Sequence, residues 1–157
     1  MMLNDVVYFL DEALTSLPKI KKIETDKLDV ETWERQSQED KEKIDKELKQ
    51  LRNITHHSLR SGDNIMQVFR LLTDKTPGPF ISEELVDRMA QMLNYVLSKI
   101  AGPSCMALKV SNPEKIGFKP KEMLTLVTEV IVNLTPYETF GRVSLCFVVA
   151  AGEHRDC

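Results

Sequence analysis

Three histidines and three cysteines are the side chains of this 157-residue chain that could hold a metal ion or act as nucleophiles. His56 and His57 are adjacent, so on a helix they point about 100° apart and cannot easily share one metal ion. His154 and Cys157 have a plausible spacing for two ligands, and Cys146 would join them only by an accident of folding. Because a structural zinc site needs a complete ligand set, the pattern does not favour a metal site.

Cys105 is the remaining candidate nucleophile, and it follows Gly102, Pro103 and Ser104 with no base beside it in the sequence. A catalytic thiol requires a nearby histidine and a third group that orients it, so we expect a packed cysteine instead. The chain has no glycine-rich phosphate loop and no G-x-S-x-G or H-E-x-x-H motif. We therefore predict no cofactor and no self-contained enzyme. An enzyme that uses Cys105 or Cys146 as its nucleophile is an alternative hypothesis.

The composition is that of an ordinary globular protein, with 42% hydrophobic residues, 29% charged residues and a net charge of −3. The two signs of charge are interspersed, whereas a nucleic-acid-binding protein normally has a basic face or stripe. The most apolar stretch, Val143 to Ala151, is about half the length of a membrane-spanning helix. No signal-peptide pattern opens the chain, and three widely spaced cysteines favour a reducing compartment. We expect the cytoplasm or the nucleus, with no nucleic-acid or membrane partner.

The first helix is predicted by apolar residues that recur at alternating steps of four and three from Leu3 to Leu17. Pro18 lies inside this pattern and should kink or end the helix near Leu17, because proline removes a backbone donor. We expect a bent helix over roughly Leu3 to Asp26.

A connection between helices is predicted from Leu28 to Ser37, where the sequence after Leu28 is polar apart from Val30 and Trp33. One of the two is Trp33, the only tryptophan of the chain. Because tryptophan buries a large apolar surface, we expect it to fill a gap between two helices. Stacking on a ligand is the alternative.

A long helix, or two nearly continuous ones, is predicted from Gln38 to Thr73, and a break near Ser61-Gly62-Asp63 is the alternative. The middle of its apolar stripe is small or polar, which would let a neighbouring backbone approach closely. The stripe comprises Ile44, Leu48, Leu51, Thr55, Ser58, Gly62, Ile65, Phe69 and Leu72.

The next helix follows a turn at Pro77-Gly78-Pro79. Ser82 is a suitable N-cap, and Gly102 with Pro103 should end the helix. Its apolar face comprises Leu85, Met89, Met92, Leu93, Val96 and Ile100.

From Ser104 onward the sequence predicts an irregular stretch, a further helix and a tail. Ser104 to Lys119 is expected to be irregular, with a short extended piece at Ala107 to Val110. Pro120 is well placed to begin a further helix, although the β-branched residues there would also suit a strand. From Thr135 the pattern is lost, so we expect an irregular tail. The face of this last helix comprises Met123, Leu124, Val127, Val130, Ile131 and Leu134.

The repeated order of helix and connection predicts an all-α fold of two or three stacked helical hairpins, similar to a solenoid. Several segments, in this order, resemble the core of the ubiquitin conjugation factor E4 family. They include Leu3 to Leu14, Trp33-Glu34-Arg35 and Pro79-Phe80 before the helix. The motif residues, for which we expect structural roles, are Asp87, Arg88, Met92, Leu93, Asn94, Tyr95, Gly102, Pro103, Asn112, Pro113, Phe118 and Pro120.

The resemblance implies an armadillo-like solenoid fragment, with a partial core over residues 1–134 and a divergent tail over residues 135–157. The function it implies is that of a scaffold in a ubiquitin chain-elongation factor of the ligase class. The family's U-box, which recruits the ubiquitin-conjugating enzyme, is not recognisable here, so we expect a piece of a longer protein. The implied partners are a AAA ATPase segregase, ubiquitin shuttle factors and ubiquitinated substrates. A helical adaptor unrelated to ubiquitin is the alternative.

Overall fold

The computed structural model describes residues 2–143, and their regular structure is helical throughout. The all-α prediction is therefore confirmed for these residues. Short 3₁₀ turns lie in the connections between α-helices, at Gly78–Ile81 and Pro103–Leu108. The α-helices are α1 Met2–Leu28, α2 Val30–Glu34, α3 Gln38–Lys75, α4 Val86–Ala101, α5 Pro113–Ile116 and α6 Pro120–Leu134.

The four long helices pack as a ring, in which α1 and α6 each contact both α3 and α4. Their apolar faces meet in one core whose largest fully buried side chains include Leu10, Phe69, Met89 and Leu134. Whether this ring is one unit of a longer stack of helical hairpins stays a prediction. The closest packing in the ring joins α1 to α3, because α3 carries small residues where the two helices cross.

Gly62 marks that crossing on α3. A Cβ atom added to Gly62 would lie 2.6 Å from Cδ2 of Leu10 and 3.8 Å from Cβ of Phe9. Ser58 and Thr55, one and two turns earlier, are also buried. The prediction that the small residues of this stripe admit a neighbouring helix is therefore confirmed.

Helix α1 continues beyond Pro18 to Leu28. The helix therefore covers nearly the range expected, Leu3 to Asp26, and only the alternative that the proline ends it near Leu17 is wrong. Its core face includes Leu10 and Leu17 before the proline and Ile20 after it, all fully buried, so packing on both sides of the proline offsets the loss of one backbone hydrogen bond.

Helix α3 is continuous across Ser61-Gly62-Asp63, so the alternative of a break there is wrong. Ser37 caps its start, because the Ser37 hydroxyl accepts a hydrogen bond from the amide of Asp40 at 3.1 Å. At its far end Leu72 is 37% exposed and Thr73 is buried, which is the reverse of the predicted stripe. A strict four-three alternation drifts about 20° per heptad around a straight α-helix, so the buried face moves to the next residue.

Two local predictions around α4 are wrong. The side chain of Ser82 donates to the carbonyl of Pro79 at 2.9 Å instead of capping α4, which begins at Val86. The extended piece expected at Ala107 to Val110 is wrong for Ala107 and Leu108, which belong to a 3₁₀ turn, whereas Lys109 has an extended backbone. Leu108 and Val110 are nevertheless buried with an exposed lysine between them, and this alternation produced the strand-like pattern.

Helix α6 begins at Pro120 as predicted, and Met123, Val127, Val130 and Leu134 are buried. Residues 138–143, which the sequence assigned to an irregular tail, are helical and bury Phe140. The connection expected at Leu28 to Ser37 contains the single helical turn α2. There the partly buried ring of Trp33 lies beneath the ammonium groups of Lys27 and Lys41, 4.8 and 5.9 Å from its centroid, so it packs where α1 and α3 meet.

Candidate functional site

The motif residues of α4 divide into a buried set and a set that pairs with α1. Met92 and Leu93 are 3% and 1% exposed, and they belong to the core. Arg88 donates from Nη2 to Oδ1 of Asn4 at 2.8 Å. Two turns further along, the hydroxyl of Tyr95 donates to the carboxylate of Asp11. Two further motif residues of α4 belong to neither set: Asp87 is exposed in the first turn of the helix, and Asn94 is half-buried.

These pairs join two segments that the sequence treats as separate motifs. Asn4 and Asp11 belong to the resemblance at the start of the chain, whereas Arg88 and Tyr95 belong to the one 84 positions later. Burial raises the pKa of Tyr95 above its usual value, and the hydrogen bond to Asp11 and the charge of that carboxylate raise it further. Tyr95 is therefore a neutral donor, and the two motifs act as one clamp between α1 and α4.

Gly102 and Pro103 end α4, as the sequence predicted. The amide of Gly102 donates to the carbonyl of Ser98 at 3.1 Å, and a Cβ atom at Gly102 would lie 2.1 Å from that same oxygen. The backbone of Gly102 is extended, as the proline that follows it requires. Glycine thus allows the helix to end abruptly against its own last turn.

The Asn112 to Pro120 motif forms one closed helical turn followed by the start of α6. Pro113 begins α5, and Gly117 at φ 76° ends it in the left-handed conformation. The amide of Phe118 donates to the carbonyl of Pro113 at 2.9 Å and that of Gly117 to Glu114 at 3.0 Å, which is the Schellman pattern. Phe118 itself is 5% exposed, so this turn is anchored in the core.

Glu24 on α1 fixes this connection, although nothing in the sequence around Glu24 indicates that role. Its carboxylate accepts from Nη2 of Arg52 at 2.8 Å and from the backbone amide of Ser111 at 2.9 Å, and its side chain is 10% exposed. Burial alone would raise the pKa of Glu24, but the hydrogen bonds from Arg52 and Ser111 and the charge of Arg52 together lower it. No local pattern signals such a residue, because its partners lie 28 and 87 positions away.

The candidate chemical residues lie apart from one another. His57 packs edge-on against Phe9, with ring centroids 6.3 Å apart, whereas His56 lies beside Gly117. The two rings face different elements, as their adjacency predicts. Cys105 is a partly buried free thiol in the second 3₁₀ turn. Within residues 2–143 no three histidine, cysteine, aspartate or glutamate side chains are grouped so as to hold a metal ion. Cys146, His154 and Cys157 lie outside the described residues.

None of the helices in residues 2–143 combines the length and apolar character needed to cross a bilayer. A family model described as the ubiquitin elongating factor core matches residues 1–143. The chain belongs to this family. Over 143 residues it is 34% identical to the E4 ubiquitin-protein ligase UFD2 of Saccharomyces cerevisiae, and over 138 residues it is 30% identical to a probable ubiquitin conjugation factor E4 of Arabidopsis thaliana.

The ubiquitin elongating factor core is thus the part of the relatives that this chain represents. Each of those two alignments covers 88% of the chain, but only 15% of the yeast protein and 13% of the plant protein. The ubiquitin conjugation factor E4 of Schizosaccharomyces pombe is 34% identical to the chain over 134 residues, and that alignment covers 13% of its length. The family is therefore shown, while the activity of the complete relatives belongs to proteins several times longer.

Proposed function

We propose that this chain is a structural section of the helical core of a ubiquitin chain-elongation factor. Its function is to hold a U-box at a fixed distance from a substrate that already carries ubiquitin. The U-box belongs to another part of the complete protein. Fixing distance and orientation raises the effective concentration of one bound partner near another. The observation that carries this proposal is the clamp of Arg88 and Tyr95 on α4 with Asn4 and Asp11 on α1.

Rigidity is what such a scaffold requires, and the motif residues supply it. Arg88 and Tyr95 pair with a second helix, Gly102 ends α4, and the turn before Phe118 is closed by backbone hydrogen bonds. In this role the motif residues position surfaces and do not touch reacting atoms. The partners we propose are a AAA ATPase segregase, ubiquitin shuttle factors and ubiquitinated substrates, in the cytoplasm or the nucleus. A ubiquitin-conjugating enzyme would bind the U-box.

A chain-extension assay tests the proposal. The matched segment of the Saccharomyces cerevisiae relative is replaced by residues 1–143, and ubiquitin chains are followed on a substrate that carries one ubiquitin. We expect the chimera to extend chains while the isolated 157-residue chain does not, and a chimera with Asp11→Ala and Tyr95→Phe to be impaired. Lys43→Glu, on the exposed face of α3, is the matched control. A folded chimera no more active than a deletion of the segment, or an active isolated chain, would contradict the proposal.

Partner binding separates this proposal from the hypothesis of an adaptor unrelated to ubiquitin. The same chimera should retain the AAA ATPase segregase in a pull-down, and the deletion should not. An enzyme that uses Cys105 is tested by the rate of thiol alkylation, because an activated cysteine reacts fast near neutral pH. An ordinary rate at Cys105 is the result we expect.

A further inference from the structure

Two adjoining clefts lie on one side of α3, and neither is involved in the clamp between α1 and α4. The larger, of about 630 Å³, is lined mainly by α3 and closed by Lys27 of α1 and Lys115 of α5. The smaller, of about 170 Å³, lies between α3 and the start of α6. His56 lines both clefts, so they form one groove along the helix, which we call the α3 groove.

The α3 groove contains more unpaired positive charges than unpaired negative ones. Two of its carboxylates are neutralised, since Asp45 pairs with Lys27 and Glu122 pairs with Lys119 at 2.9 Å. Asp63 accepts from the neutral amide of Gln67 at 2.8 Å and keeps its negative charge. Three of its cationic side chains have no hydrogen bond or ion pair to other residues within 2–143. These three are Lys49, Arg60 and Lys115.

This positive surplus contrasts with the chain as a whole, whose net charge is −3. Solvent-exposed cations that are not neutralised locally attract anions, and a concave surface strengthens that attraction. The groove extends along α3 from Asp45 to Asp63, which is about 27 Å at the rise of an α-helix. An extended peptide of roughly eight residues has that length.

We propose that the α3 groove binds an extended acidic peptide segment of a partner protein. Its carboxylates pair with Lys49, Arg60 and Lys115, while Leu48, Leu59 and Met123 at the floor contact the intervening side chains. This inference rests on the geometry of the groove and not on the proposed role in chain elongation. The chain-extension assay and the binding experiment below can therefore fail independently.

A peptide fits this groove better than a nucleic acid does. Single-stranded nucleic acids are bound by aromatic side chains on which the bases stack, and the lining of the groove includes no Phe, Tyr or Trp. A phosphate backbone would also meet the carboxylates of Asp45, Asp63 and Glu122 along its path. An extended peptide can place its own acidic side chains opposite the three free cations only.

The experiment uses the 157-residue chain and a fluorescein-labelled eight-residue peptide in which glutamate and alanine alternate, followed by fluorescence anisotropy. We expect saturable binding that weakens as salt is raised, because exposed ion pairs are screened. The variant Lys49→Glu/Lys115→Glu should weaken binding about ten-fold or more, since each reversal turns an attraction into a repulsion. The neutral variant Lys49→Gln/Lys115→Gln should fall between this variant and the unmodified chain.

The matched control is Lys43→Glu/Lys75→Glu, which makes the same change in net charge on α3 outside the groove. Both lysines are exposed, at 66% and 77%, and their reversal should change the affinity less than about two-fold. Circular dichroism of each variant establishes that the helices are retained. Three outcomes would overturn the proposal: no binding by the unmodified chain, equal losses in groove and control variants, or displacement of the peptide by a lower concentration of single-stranded DNA of equal charge.

Discussion

The hydroxyl of Tyr95 on α4 donates a hydrogen bond to the carboxylate of Asp11 on α1, although the two residues lie 84 positions apart in the chain. With the bond between Arg88 and Asn4, it ties the two helices together at two levels, seven residues apart on each. Asn4, Arg88 and Tyr95 line one surface cleft with the buried Met92. Polar contacts at the edge of a core fix the relative rotation of two helices, which apolar packing alone specifies less tightly.

Replacing Tyr95 with phenylalanine should lower the free energy of unfolding by about 1 kcal/mol, the usual contribution of such a hydrogen bond at a partly exposed site. Urea unfolding followed by circular dichroism measures the change. In a double-mutant cycle with Asp11→Ala, the two losses should not add, because each removes the same bond. Tyr8→Phe is the control, since Tyr8 is 61% exposed, and it should leave stability unchanged.

The contribution of Tyr95 should also depend on pH. Because its pKa is raised in the folded protein, the unfolded chain releases the phenolic proton first as pH rises past about 10. The stabilisation is therefore complete below that pH and is lost as pH rises through the folded pKa. The stability difference between the unmodified chain and Tyr95→Phe should be constant from about pH 7 to 9 and smaller at about pH 10.5. A difference that stays constant would contradict the raised pKa.

Glu24→Gln should destabilise the chain by about 1–3 kcal/mol at neutral pH, because it weakens charge-assisted bonds to Arg52 and Ser111. The folded pKa of Glu24 is lowered from its usual value near 4.5. Its stabilisation is thus present above about pH 4.5 and is lost as pH falls through the folded pKa. Denaturant unfolding at several pH values should show the two proteins converging in acid.

The matched control for Glu24 is Glu39→Gln. Glu39 forms only a surface pair with Lys43 and is 80% exposed, so its replacement should change stability by less than about 0.5 kcal/mol. If both variants lost the same stability, the connection at Ser111 would not depend on Glu24.

Gly62→Ala should destabilise the pairing of α1 with α3. The new methyl group would lie 2.6 Å from Cδ2 of Leu10, which is fully buried, so that side chain must shift within the core. Such overpacking costs about 1–3 kcal/mol, and the gain in helix propensity of about 1 kcal/mol offsets only part of it. Thermal and urea unfolding measure the net loss. In a Leu10→Ala background the same substitution should become neutral or stabilising.

Gly141→Ala is the control for that substitution. Gly141 also lies in a helical segment, but a Cβ atom there meets no other atom within 4 Å. We expect it to stabilise the protein by up to about 1 kcal/mol. Stabilisation by both alanines would mean that α1 and α3 do not approach closely at Gly62.

Gly102→Ala should cost about 1–3 kcal/mol, because its Cβ atom would overlap the carbonyl oxygen of Ser98 and that oxygen belongs to the backbone of α4. Gly78→Ala makes the same change in a turn where a Cβ atom has free space, and it should have little effect. Hydrogen exchange of the last turn of α4 is the sharper measurement, since we expect faster exchange there in Gly102→Ala only.

The sequence by itself determined the four long helices, the start of α6 and the end of α4. The spacing of apolar residues predicted α1, α3, α4 and α6, and Pro120 marked the start of α6. Gly102 and Pro103 marked the end of α4. These features are local, because helix periodicity and the backbone limits of glycine and proline act within a few residues. The order of the motifs also sufficed to indicate the family.

Only the tertiary structure decided which polar residues pair. The bonds of Tyr95 to Asp11 and of Glu24 to Ser111 span more than 80 positions, and no local pattern encodes such partners. Packing also overrode local signals, since Pro18 lies within a continuous helix and Thr73 replaces Leu72 in the core. The physical reason is that the four long helices form one core together. Which residues are buried and which polar side chains meet therefore depend on how all four helices pack, and not on any single segment of the sequence.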